Sequence, residues 1–126
     1  MIIKSLEDLE VFQLARSYAD EISAIAFRPC MRKDDELQKQ MLDCSASIGA
    51  RIAEGFGQGT DRHCAHFQRI ARGSANEMQN HLSVALGRKY VTAAEHRDLT
   101  NKYNVLGKKL SRWIGHLARE DRKQRG

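Results

Sequence analysis

The chain has 126 residues, 41% hydrophobic and 29% charged, with a formal net charge of +5. That is enough for one domain with its own core, and no apolar run approaches the ~20 residues of a membrane span. Three cysteines without a close pair argue against a disulfide framework, and one proline with few aromatics favours helices over a turn-rich β fold.

The opening Met1-Ile-Ile-Lys-Ser-Leu-Glu-Asp8 lacks a basic region followed by an apolar run, so no signal peptide is expected and the cytoplasm is the expected compartment. Ser5 with Asp8 three residues on is a helix-start signal. It predicts a first helix over about 6–27, stopped by Pro29. Two adjoining apolar rows run along it: Phe12, Ala15, Ala19, Ile22, Ala26 and then Val11, Leu14, Tyr18, Ile25. Together they span an arc of roughly 160°, wider than the stripe of about 100° that one core needs. One row is expected to face the core and the other to be buried elsewhere.

The second helix is predicted over 35–55, capped by Asp34 or Asp35. Leu37, Met41, Cys44, Ile48 and Ile52 form its main row, with Leu42, Ala46, Gly49 and Ala53 beside it. Residues 44–57 hold only two charges, Arg51 and Glu54, among many small side chains, which marks this helix as the most buried. Gly55-Phe-Gly-Gln-Gly59 then reads as a helix stop and turn. The segment follows a helix and has no Lys-Ser/Thr behind it, so it is no phosphate loop.

A third helix is predicted over 61–88, capped by Thr60 or Asp61, with Cys64, Phe67, Ala71, Met78, Leu82 and Ala85 on one face. Thr92-Ala-Ala-Glu95 is a capping box that opens a fourth helix over 93–121, followed by a basic tail at 122–126. Its apolar ladder, Leu99, Tyr103, Leu106, Leu110, Trp113 and Leu117, steps by 4 and 3, the spacing of bundle packing. Short connections make neighbours antiparallel. The expected fold is all-α, an antiparallel up-down-up-down four-helix bundle in a single domain, 1–126.

Charge is uneven. Residues 1–96 hold 12 Lys+Arg against 13 Asp+Glu, whereas 97–126 hold 9 against 3, a net of +6. Lys108, Arg112, Arg119 and Arg122 fall within an arc of about 80° opposite the leucine ladder, so their stripe can follow a phosphate backbone. The plainer account is a solvated outer face whose cations complement the helix dipole.

Residues for chemistry are few. His63 and His66 stand three apart around Cys64, but zinc needs three or four convergent ligands and none can be added from spacing. Di-iron bundles need Glu-x-x-His pairs; here His81 is four residues after Glu77, and Glu95 and His96 are adjacent. No metal, no cofactor and no catalytic residue is expected. Glu54 and Glu77 sit among small residues and need partners if buried; Arg51 or Arg72 can supply an ion pair.

Asp8-Leu-Glu-Val-Phe-Gln-x-Ala15, Ile52-Ala-Glu-Gly-Phe-Gly57, and Phe67-x-x-Ile-Ala-x-Gly-Ser-x-x-Glu77 followed by Leu82-x-x-Ala85 resemble one family. It is the four-helix bundle family that includes the proteins encoded in intervening sequences of bacterial 23S ribosomal RNA genes. The resemblance covers roughly residues 6–118, with Glu54, Gly55, Gly73 and Glu77 as its structural signature. Gly49 and Arg51 stand where the family commonly has Pro and Asn, so no role of that Asn is carried over. The resemblance implies a homo-oligomer, a pentamer around a central channel, and supplies no active-site residues. A weaker likeness, through Gly107-x-x-Leu-x-x-Trp-Ile114, links the chain to the accessory variability determinant of diversity-generating retroelements, a basic pentamer that binds nucleic acid and a reverse transcriptase.

These readings combine into an expected function: a non-enzymatic oligomeric scaffold that binds RNA or DNA through the Lys108–Arg122 stripe. A protein-binding module with no nucleic-acid role is the alternative.

Overall fold

Helices follow one another in the computed structural model, which describes residues 5–126. The first four residues, part of the stretch read for a targeting signal, lie outside the described residues. The helices are α1 (Glu10–Ala26), α2 (Asp35–Phe56), α3 (Asp61–Gly87) and α4 (Ala93–Arg125). Each packs on its chain neighbours, and α1 meets α4 to close the square. Among the described residues there is no strand, and the fold is the expected antiparallel up-down-up-down bundle.

Local signals explain most boundaries. Asp34 caps α2 by accepting from the Leu37 amide, Thr60 caps α3 through the His63 amide, and Thr92 with Glu95 forms the capping box of α4. Two boundaries differ from expectation. The Ser5–Asp8 signal opens only a 3-10 turn, Leu6–Asp8, after which the extended Leu9 interrupts the chain and α1 starts at Glu10. At the other end, residues 122–125 are not a loose tail but the last turn of α4. Lys, Arg, Gln and Glu are good helix formers, the turn is basic at the negative end of the dipole, and nothing in it breaks a helix.

The core joins all four helices around Ile22, Met41, Ile48, Met78, Leu82, Tyr103, Leu106 and Leu110, and Met31 plugs it from the α1–α2 loop. Burying one such side chain contributes about 1.5–3 kcal/mol. On α4, Ile114 is buried where the ladder expected Trp113, which lies half-buried between the core and a second cluster of Cys64, Ala65 and Leu117. The α2 main row is buried as expected, but its side row is not. Ala46 is exposed and Leu42, Gly49 and Ala53 are half-buried, so α2 is not the most buried helix. By share of buried residues α1 leads, with six of 17, while α3 forms both of the bundle's most extensive helix pairings, with α2 and with α4.

Helix lengths rise along the chain, from 17 residues in α1 to 33 in α4. Glu10, the first residue of α1, pairs with Lys109, so α4 runs on past the start of α1 for roughly 24 Å at 1.5 Å per residue. Over that length it packs chiefly on α3. This overhang sets the character of one end of the bundle.

Candidate functional site

Two rows of cations run along α4. Lys102 reaches Glu21 (2.8 Å) and Asp98 (3.1 Å), and Lys109 reaches Glu10 (2.7 Å), so this row fastens α4 to α1. The outward row, Lys108, Arg112, Arg119 and Arg122, is exposed and has no ion-pair partner among the described residues. Lys108 with Arg112 and Arg119 with Arg122 are like charges one helical turn apart, each pair costing a few tenths of a kcal/mol. The Arg119 guanidinium lies back over Gly115, where a side chain would meet its Nη1 at 3.4 Å.

The overhang enlarges this row into a site. Arg62 and Arg69, seven residues apart on α3, face Arg122 and Arg125 of α4 across a cleft of about 280 Å³ floored by Ala65 and Ala118. Asp121 is the acidic residue lining it, and it pairs with Arg125 (3.1 Å). Arg62, Arg69 and Arg122 have no carboxylate partner among the described residues. Further along the same seam Arg72 donates to Ser111 Oγ (3.1 Å), which holds its guanidinium between α3 and α4. Planar forked donors converging on an open cleft suit phosphate or carboxylate oxygens. Of the residues read from the sequence, the structure brings Arg122 into this cleft and leaves Lys108, Arg112 and Arg119 along the adjoining face. Sequence reasoning missed Arg62 and Arg69; their spacing of seven was the available signal, but their partner helix could not be read from it.

The four signature residues are dispersed. Glu54 is exposed and pairs with Arg51 (2.6 Å) on its own helix, one of the two arginines expected to serve. Gly55 lies within the last turn of α2, against α3, and the expected helix stop follows at once, with Gly57 as the C-cap. A Cβ on Gly55 would stand 2.2 Å from Gln68 Nε2, 2.9 Å from Phe67 Cβ and 3.1 Å from the Cys64 carbonyl oxygen. The fully buried Gln68 in turn donates to the Ile52 carbonyl (3.3 Å). Gly73 is exposed with open space around it. Glu77 has no arginine partner: one carboxylate oxygen lies 3.4 Å from His81 Nε2, and the Cys44 thiol donates to the other at 3.7 Å. Burial, and then the Glu77 charge, push the Cys44 thiol up to about 12, so at neutral pH it is an inert thiol and no nucleophile.

His63 and His66 are both exposed, and His66 stacks edge-on with Phe67 at 5.5 Å. No described helix is long and apolar enough to cross a membrane.

The fold has a solved counterpart. A protein of unknown function from the S23 ribosomal protein family of Bacteroides thetaiotaomicron superposes with a TM-score of 0.76 at 22% identity, over 83% of this chain and 95% of that one. Among proteins of curated function, none matches. The model of the 23S rRNA-intervening sequence proteins matches residues 7–112, from the turn before α1 to Arg112 of α4, and this chain belongs to that family.

Proposed function

We propose that this protein is a non-enzymatic, homo-oligomeric scaffold that grips the phosphate backbone of RNA or DNA through the α3/α4 face. The observation that carries the reading is the cleft at the overhang, where Arg62, Arg69 and Arg122 converge without acidic partners. The row Lys108, Arg112 and Arg119 extends the same charge toward the middle of α4. Packing and capping do not require these cations, and their mutual repulsion is relieved by an anion. Contacts of this kind read no base edges, so binding is tolerant of sequence. Repetition of the face around a ring, a pentamer by family resemblance, adds avidity to modest single-site affinity.

Fluorescence anisotropy with labelled RNA and DNA tests this. At low salt the parent binds, and affinity falls steeply as salt rises. Replacing Arg62, Arg69 and Arg122 together by Ala weakens binding at least about tenfold and lowers the salt slope by about 2 to 3. Unchanged affinity in that variant, or no binding by the parent at low salt, sinks the reading. Light scattering supplies the second check, since a lone 14.3 kDa chain removes the avidity.

A second reading, a protein-binding module, has its own observation. Phe12, Ala15 and Ala19 of α1 and Ala46, Gly49, Ala50 and Ala53 of α2 line a shallow, mainly apolar groove of about 260 Å³. A pull-down that recovers proteins undiminished after nuclease treatment favours it.

A further inference from the structure

Cys44 on α2 and Glu77 and His81 on α3 meet at mid-bundle and share no residue with the basic cleft. Their ligand atoms, a thiol sulfur, a carboxylate oxygen and an imidazole nitrogen, all lie within 4.8 Å of one another. The i,i+4 spacing of Glu77 and His81 puts both on the α3 face toward α2, where the Cys44 row is buried.

The distances approach those around a tetrahedral ion. Zinc bonds of 2.0–2.3 Å to sulfur, nitrogen and oxygen hold neighbouring ligand atoms about 3.3 to 3.6 Å apart. Here Nε2 to Oε1 is 3.4 Å and Sγ to Oε2, the other oxygen of the same carboxylate, is 3.7 Å, and one donor atom from each residue lies within 4.8 Å of the other two, so the side chains must close by about an ångström around an ion. His81 supplies a second, separate pointer. It is 6% exposed, and its Nε2 is a buried atom with no hydrogen-bond partner although a carboxylate stands 3.4 Å away. A buried imidazole nitrogen left unpartnered has lost its water without replacement, and coordination makes up for that loss. A cleft of about 260 Å³ bordered by Gln40, Asp43, Ser47 and Ser74 opens onto Cys44 and Glu77, giving an ion its entry and a fourth position for water.

We infer that Cys44, Glu77 and His81 form a binding site for one divalent transition-metal ion of the zinc type. The thiol proton leaves to solvent as the sulfur–metal bond forms. Thiolate and carboxylate then balance the two positive charges, and the imidazole binds neutral. The ion ties α2 to α3 in the middle of the bundle.

Cobalt(II) titration of the chelator-treated full chain tests the site. The expected result is a thiolate-to-cobalt charge-transfer band that saturates at one equivalent and is displaced by zinc. Cys30→Ser, at the exposed cysteine, keeps the band. Cys44→Ser loses it, and Glu77→Gln, an isosteric change at an exposed residue, weakens cobalt binding at least about tenfold. Zinc raises the thermal midpoint of the parent by about 4 °C or more and leaves that of Glu77→Gln little changed. No band in the parent, or equal binding by the parent and Glu77→Gln, overturns the inference even if Cys44→Ser fails to fold.

Discussion

The two ends of the bundle put the same residue types to opposite uses. Where the α1–α2 and α3–α4 loops meet, the two arginines that bridge the loops, Arg28 and Arg88, each have a carboxylate, while Arg32, Lys33 and Lys89 point to solvent without an ion pair among the described residues. Arg28 forms a two-pronged bond with Glu95 and also donates to the Tyr90 carbonyl (3.1 Å), while Asp34 accepts from Arg88 (2.8 Å) and the Tyr90 hydroxyl (2.8 Å). Both carboxylates are already there as helix caps, so capping places the acids and each recruits an arginine from across the loops. At the other end the α3 cap is the neutral Thr60 and α4 overhangs α1. No capping carboxylate faces Arg62, Arg69 and Arg122. The contrast teaches that unpaired charge arises here from helix lengths and cap chemistry, not from composition alone.

If the overhanging end is held by packing rather than by pairing, its weakest point is steric. Gly55→Ala drives a methyl group into Gln68, Phe67 and the α3 backbone, and the buried Gln68 cannot swing away without giving up its bond to Ile52. We expect a loss of about 2–3 kcal/mol in urea unfolding, the largest effect of the set. Gly73→Ala, in open space on α3, is expected to gain about 0.5–1 kcal/mol from helix propensity. Equal effects at the two glycines would show that packing does not hold this end.

The loop end is expected to fail by charge and by acid. Arg28→Ala removes both prongs to Glu95 and the Tyr90 contact, costing about 1–2 kcal/mol, while nucleic-acid affinity stays as it was. Hydrogen bonds from Arg28, and then the Thr92 amide, hold the Glu95 carboxyl down at about 2. Hydrogen bonding by the Tyr90 hydroxyl chiefly lowers Asp34 as well. Both groups sit below their unfolded values, so the unfolded chain binds more protons in acid. The Glu95 contribution is complete above about pH 4.3 and is lost as pH falls toward about 2, and that of Asp34 is likewise lost on acidification. Since Glu95 is about a third exposed, its share is about 1 kcal/mol after screening. Unfolding curves between about pH 6 and pH 3 should show this fall in the parent and a smaller one in Arg28→Ala. The triple arginine variant of the other end should match the parent.

What could be read from the sequence was local. Asp34, Thr60 and Thr92 act within one turn of themselves, and each cap stands where the sequence puts it. The Leu37–Ile52 and Leu99–Leu117 rows declare themselves by period, although Ile114 displaces Trp113 where α4 leaves α1 behind and only α3 remains to pack on. What was not legible depends on a second helix. Whether Ala46 and Gly49 are covered depends on how closely α1 lies on α2. Glu77 looked like half of an ion pair because neither Cys44 nor the direction of His81 is visible along the chain. Arg62 and Arg69 gain meaning only when α4 proves long enough to bring Arg122 and Arg125 beside them.

The smallest expected effect sharpens the account of the loop end, because it separates backbone strain from charge. Lys89 sits at φ 65°, in the left-handed region, immediately after the Arg88 cap of α3. Its amide bonds the Leu86 carbonyl (3.0 Å) and the next amide, of Tyr90, bonds the Ala85 carbonyl (2.9 Å), the two-bond helix ending that usually takes glycine. A side chain at that φ costs about 1 kcal/mol, and glycine avoids it while leaving the unfolded chain somewhat more entropy to lose. Lys89→Gly is therefore expected to raise stability by about 0.5 kcal/mol and to leave the acid sensitivity intact, since it touches neither Asp34 nor Glu95. A loss of stability would mean that the Lys89 ammonium contributes to the paired end after all, and the strain would not be the deciding term. A gain with unchanged pH dependence would show that this end stays shut by its capping carboxylates in spite of a strained link between α3 and α4.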